Sequence, residues 1–239
     1  MVSTVGPVLV RPGSAGYPVG LHGLEHPPPI YVKGSLVDRP HIAIIGTRQC
    51  TRYGVDLAER FGRCLAAIGW VTVSGLARGI DTAAHRGMLN GAGVGVAVLG
   101  CGIDVVYPRS NLGILDGILG AGGAVVSEYP GRAPPERWRF PARNRLIAAM
   151  SAATVVVESA ITGGALITAS LAAEMGRPVF AVPGDVDRPA SVGTNQLIRD
   201  GAIPVFGPED LIEALSLELG VGAVRAAGSG DGTGDPSPE

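Results

Sequence analysis

The chain has 239 residues, 46% hydrophobic and 17% charged, which is the balance of an ordinary globular protein and excludes a largely disordered one. Its formal net charge of −2 provides no global attraction for polyanions, so any anion binding has to come from local placement of charge. The three cysteines (Cys50, Cys64, Cys101) have neither metal-ligand nor CxxC spacing. With no signal-like N-terminus and no run of about 18 uninterrupted apolar residues, the sequence reads as a soluble, cytoplasmic chain with no membrane span, metal or cofactor.

Residues 1–15 read as a flexible lead-in, and Tyr17-Pro18 and Pro27-Pro28-Pro29 break any regular element before residue 30. Ile30–Lys33 is expected to add an edge strand. Ile42–Ile45 is a short continuous apolar run ending at Gly46, the signature of a buried parallel strand. Helical spacing follows over Gly54–Ile68, with Val55, Leu57, Ala58, Phe61, Leu65 and Ile68 on one side. The alternation then repeats. Strands are predicted at Val71–Val73, Val94–Leu99, Ala124–Val126, Thr154–Val157, Val179–Val182 and Ile203–Phe206. Helices are predicted near Ile80–Leu89, Leu112–Leu119, Asn144–Ser151, Gly164–Met175, Asn195–Arg199 and Pro208–Leu217, and a long loop precedes the one at Asn144. This order predicts an α/β fold with an extended Rossmann-like, doubly wound, mainly parallel sheet, forming a single domain over residues 16–217. Residues 218–239 read as a disordered tail rich in Gly, Ala and Ser.

In such folds ligands sit beyond the carboxyl ends of the strands. The segments expected there are Gly46-Thr-Arg48, Ser74 through Asp81, Gly100-Cys-Gly102, Ser127-Glu128, Glu158 through Gly164, and Pro183-Gly184. Small and polar residues on one rim let a ligand approach the backbone, and the helix N-termini that follow favour anions. Neither GxGxxG at the first strand nor GxxxxGK[ST] anywhere is present, so the dinucleotide and P-loop readings lack their fingerprints. Asp81 reads as a helix N-cap and His85 as a packing residue. Glu128 and Glu158 both follow strands, which leaves open a carboxylate pair for acid–base work.

The 132–145 window is unusual for this chain. It holds Arg132, Arg137, Arg139, Arg143 and Arg145 against Glu136 alone, with Trp138 and Phe140 between them. Arginines interleaved with aromatics suit a single nucleic-acid strand, whose phosphates need cations and whose bases need flat surfaces. A solvated charged loop is the competing reading, and Trp138 is the aromatic expected to close the core.

Several motifs together resemble the DNA-processing protein A (DprA/Smf) family: Ser74-Gly-Leu-Ala-Arg-Gly-Ile-Asp-Thr-Ala-Ala-His85, Gly100-Cys-Gly-Ile-Asp104 with Tyr107-Pro108 and Asn111, Ser127-Glu-Tyr-Pro130, and Phe140-Pro-Ala-Arg-Asn-Arg-Leu-Ile147. Gly163-Gly-Ala-Leu-Ile-Thr168, Pro183-Gly184 and Gly193-Thr-Asn-Gln-Leu-Ile198 extend the match over residues 16–215. The resemblance implies a non-catalytic homodimer that binds single-stranded DNA and helps load the RecA recombinase in natural transformation. It places DNA contacts at Arg48, in the loop of Ser74, Gly75, Arg78 and Gly79, and at Phe140, Arg143, Asn144 and Arg145. The glycine rim adds Gly46, Gly163 and Gly164 to that set. The N-terminal helical domain and C-terminal winged helix of many members are not expected within this chain, and residues 193–206 are the expected dimer contact. The alternative is a nucleotide-processing hydrolase of the lysine-decarboxylase-like type, but Gly163–Thr168 lacks the acid of that group's PGGxGTxxE signature.

Overall fold

The structure, a computed structural model, describes residues 6–220, so the first part of the expected lead-in and the tail beyond Gly220 lie outside the described residues. In chain order the strands are β1 (Val8–Val10), β2 (Ile30–Gly34), β3 (His41–Ile45), β4 (Val71–Ser74), β5 (Gly95–Gly102), β6 (Ala124–Tyr129), β7 (Ala153–Val156), β8 (Val179–Ala181) and β9 (Ile203–Pro204). The helices are α1 (Arg52–Ala67), α2 (Ile80–Asn90), α3 (Leu112–Gly120), α4 (Arg139–Met150), α5 (Gly164–Glu174), α6 (Pro189–Arg199) and α7 (Pro208–Leu219).

All nine strands form one sheet in the order β1-β2-β6-β5-β4-β3-β7-β8-β9. From β6 to β9 every pairing is parallel, while β2 runs antiparallel to β6 and β1 antiparallel to β2. The Rossmann-like reading therefore holds, with two local differences. The strand at Ile30 is not an edge, because Val8–Val10, within the expected lead-in, pairs outside it. Helix α4 also starts at Arg139, well before the expected Asn144, so the Phe140–Arg145 motif sits on a helix and not in a loop.

Alternation along the strands divides the core in two. Ala43, Ile45 and Val156 face a layer with Leu146 and Ile147 of α4 and Ala165 and Ala169 of α5. Ile42, Ile44 and Val155 face Leu57, Phe61 and Leu65 of α1 and Leu211 and Leu215 of α7. Central strands covered on both faces are mostly apolar, which is why Ile42–Ile45 of β3 reads as a continuous hydrophobic run and β7 as one broken by the buried Thr154.

The chain steps outward from β3 through β4 and β5 to β6, then returns through α4 to β7 on the other side of β3. The strand order thus reverses between β3 and β7. There the connections leave in opposite directions and open a crevice at the carboxyl ends of the strands. Helix α4 crosses β5, β4 and β3 and forms one wall of that crevice.

Candidate nucleic-acid interface

A cleft of about 660 Å³ occupies this reversal point. Its walls are the β3–α1 loop (Gly46, Thr47, Arg48, Gln49), the first turns of α4 (Phe140, Pro141, Arg143, Asn144) and the start of α5 (Gly163, Gly164, Ala165, Ile167, Thr168). Of the contacts expected from sequence, Gly46, Arg48, Phe140, Arg143, Asn144, Gly163 and Gly164 come together here. Ser74, Gly75, Arg78, Gly79 and Arg145 do not line the cleft. Tyr107, Asp81 and Arg137 do. Tyr107 and Asp81 lay inside motifs already singled out, but nothing in their spacing revealed that they would meet α4.

The N-terminus of α1, the position that holds a phosphate in dinucleotide-binding folds, is already filled. Glu158, two residues after β7, is 4% exposed and directs its carboxylate there. Thr51 donates to it twice, from the backbone amide at 2.8 Å and from the hydroxyl at 2.5 Å. The Thr51 hydroxyl in turn accepts from the Gly54 amide at 3.1 Å, capping the helix. Gly54 is required at this approach, because a Cβ there would run into the Glu158 carboxyl group. The Glu158 carbonyl also accepts from the Thr47 amide at 2.7 Å. One residue therefore clasps both ends of the loop that carries Arg48, and an internal carboxylate replaces an external anion at the positive end of α1.

The Ser74–Gly79 loop is likewise satisfied from within. The Ser74 hydroxyl donates to the Ile44 carbonyl at 2.7 Å. Asp81 lies in the first turn of α2, whose N-cap is Gly79, and its carboxylate accepts from the Gly75 and Ala77 amides at 3.0 and 3.3 Å. Asn111 donates to the Leu76 carbonyl at 2.9 Å. The hydroxyl and two of the amides that the sequence offered to a phosphate are thus engaged in holding the loop's shape. Arg78 points to solvent.

Arg143 lies beneath this loop and is 4% exposed. It donates from Nη1 to the Val98 carbonyl, and its guanidinium fills the space that a Cβ on Gly75 would take. Burial lowers its pKa to about 10, which leaves it cationic at neutral pH. Burial raises the pKa of Asp81, and the Arg143 charge opposes that rise. Arg145 points away from the cleft and pairs with Glu128 at 2.5 Å. Glu128 and Glu158 thus have separate structural partners, and among the described residues Asp81 is the one acid on the cleft wall. Among the described residues no group of three or more His, Cys, Asp or Glu side chains could hold a metal ion. No helix of the described residues is long and apolar enough to cross a membrane.

Three features face the open cleft. Arg48 is exposed, with its guanidinium carbon 5.3 Å from the centre of the Phe140 ring and no acidic partner among the described residues. The Phe140 ring is half-buried against Gly100 and lies 5.5 Å from Tyr107, which is 45% exposed. Helix α5 begins at Gly163-Gly164 with no side chain capping its first amides. A cation, a pair of rings and a set of free amides therefore converge on one space. Trp138 does not close the core as expected: it is 58% exposed.

A family model for DNA recombination-mediator protein A matches residues 8–216. Protein Smf of Escherichia coli is 40% identical over 214 residues, covering 88% of this chain and 57% of that protein, so the chain spans little more than half the length of this relative. The structure of DNA processing protein A from Streptococcus pneumoniae superposes with a TM-score of 0.80 at 36% identity, covering 87% of this chain and 74% of the other. That of the Helicobacter pylori protein, described for its single-stranded DNA binding mode, gives 0.79 at 29% identity over 90% of this chain and 98% of the other.

Proposed function

Because the chain belongs to the DNA recombination-mediator protein A (DprA/Smf) family, we propose that it is a non-catalytic single-stranded DNA-binding protein that acts as a recombination mediator. The observation that carries this reading is the cleft at the β3/β7 reversal. It is open, cationic and aromatic where Arg48, Phe140 and the start of α5 meet, while the nucleotide position at α1 is closed by Glu158. A phosphate of the strand sits between Arg48 and the Gly164 and Ala165 amides at the start of α5, and a neighbouring base lies against Phe140 and Tyr107. None of these groups is arranged to read base edges, so binding is tolerant of sequence.

Gly46 lets the loop pass close to Ile80 and the Glu158 carbonyl, and Asn144 holds the α5 start from α4 by donating to the Gly164 carbonyl at 3.3 Å. Arg143 supports Gly75 from below, and Arg145, Ser74, Gly75 and Gly79 shape the walls without forming them. Arg78 stands clear of the cleft on the same loop and adds a long-range attraction. We further propose that it works as a homodimer that hands DNA to the RecA recombinase in transformation or recombination, as the motif resemblance to the family implies. Residues 193–206, on α6 and β9, are the proposed dimer contact.

The test is a fluorescence-anisotropy titration of oligo-dT and of duplex DNA at several salt concentrations. Single strands are expected to bind more tightly than duplex. Each phosphate neutralised contributes a slope of about −0.7 in log affinity against log salt, so Arg48→Ala is expected to flatten the slope by about that amount. Equal affinity for duplex, or an unchanged slope in folded Arg48→Ala protein, rejects the assignment.

A further inference from the structure

Trp138 is an exposed aromatic that the fold holds still. It precedes α4 and packs edge-on to Tyr129 with ring centres 6.0 Å apart. The Arg139 guanidinium lies 5.2 Å from its ring centre and 4.5 Å from that of Tyr129. Arg139 is fixed in turn by Glu136 at 3.1 Å and by the Pro134 carbonyl at 2.7 Å. Glu136 also accepts from the Trp138 indole N–H. The indole's polar group is thus satisfied inside the protein while its ring stays 58% exposed. A ring ordered before any partner arrives loses little entropy on binding one.

Its surroundings indicate the partner. Arg139 is committed as a strut, but Arg132 and Arg137 are exposed and have no acidic partner among the described residues. Arg137 also lines the cleft, and Trp138 is the next residue in the chain. A flat, immobile ring next in the chain to a free cation of the cleft wall, with a second free cation six residues earlier, matches the alternating bases and phosphates of a single strand. We infer that Trp138, with Arg132 and Arg137, forms a second stacking shelf that receives bases of the same DNA strand after it leaves the cleft. This rests on the single-strand reading of the cleft, and the two can be tested apart.

Trp138 and Trp70 are the two tryptophans of the chain, and Trp70 is 4% exposed, so a DNA-induced change in emission reports chiefly on Trp138. Binding of a dT oligomer of about 16 nucleotides is expected to quench that emission, whereas one of about 4 nucleotides that occupies only the cleft is not. Trp138→Ala is expected to weaken the long oligomer by about 5- to 150-fold, to leave the short one unchanged and to keep the salt slope, because stacking carries no charge. Trp138→Phe should restore most of the affinity.

The shelf is refuted if the long oligomer binds without quenching and Trp138→Ala binds it as well as wild type. It is equally refuted if Trp138→Ala changes the oligomeric state in sedimentation while DNA affinity stays the same, since the ring then meets protein. Failure of the short oligomer to bind wild-type protein at all, with the long one still quenching, removes the cleft reading and leaves the shelf standing.

Discussion

Replacing Arg143 with alanine separates a DNA contact from a structural cation. The side chain is 4% exposed, bonds to the Val98 carbonyl and lies against Gly75, whose amide is held by Asp81. Truncation leaves a buried carbonyl without its donor, a void under the loop, and Asp81 buried without the charge that opposes its pKa rise. Breaking a buried charge arrangement from one side costs about 3–5 kcal/mol, a large fraction of the roughly 5–15 kcal/mol that holds a domain folded. The loss should appear as a lower urea midpoint by circular dichroism. It should also be smaller at pH 5 than at pH 8. Asp81 has a raised folded pKa that rises further without Arg143, so lowering the pH protonates it and removes the unpaired charge. Pairing the change with Asp81→Asn should recover part of the stability, giving a coupling within about 0.5–3 kcal/mol. If Arg143→Ala protein is instead as stable as wild type but binds oligo-dT with a flatter salt slope, Arg143 is a direct phosphate ligand and the burial argument fails.

Glu158→Ala removes a negative charge beside the cleft, so simple electrostatics predicts tighter DNA binding. We expect weaker binding, with about 1–3 kcal/mol lower stability, because the Thr51 amide and hydroxyl lose their acceptor and the Arg48 loop is released. Tighter binding with unchanged unfolding would show that Glu158 only repels. Stability should also fall on acidification. His85 is fully buried and its folded pKa is lowered by burial to about 4, against 6.5 unfolded. Between those values the unfolded chain binds the extra proton, so stability is complete above about pH 6.5 and declines towards pH 4 by about 3 kcal/mol, at about 1.4 kcal/mol per pKa unit. His41, also lowered by burial, adds in the same direction. His85→Leu should remove most of this dependence in pH-resolved urea titrations, and an unaltered profile would contradict it.

The sheet was readable in the sequence because its strands are covered on both faces, which favours continuous apolar runs at Ile42–Ile45 and Val155–Val157 with helical spacing between them. The glycine-rich strand ends and Arg48 were readable for a related reason: a residue just after a parallel strand must stand on the ligand rim. What spacing leaves undetermined is which way a side chain points once elements pack. Arg143 and Arg145 are two positions apart on α4 and so face different directions. One turns under Gly75 and the other to Glu128, and neither stands free like Arg48. Glu158 and Thr51 are 107 residues apart, so no local pattern could reveal that one carboxylate closes α1 to outside anions. Trp138 and Phe140 look alike as neighbouring aromatics, yet contact with Gly100 half-buries Phe140 while the Tyr129–Arg139 stack holds Trp138 in solvent. The amino-acid order determined where the rim would be. Only tertiary packing decided which cations and rings remain free to meet a strand there, because that depends on which partners distant segments supply.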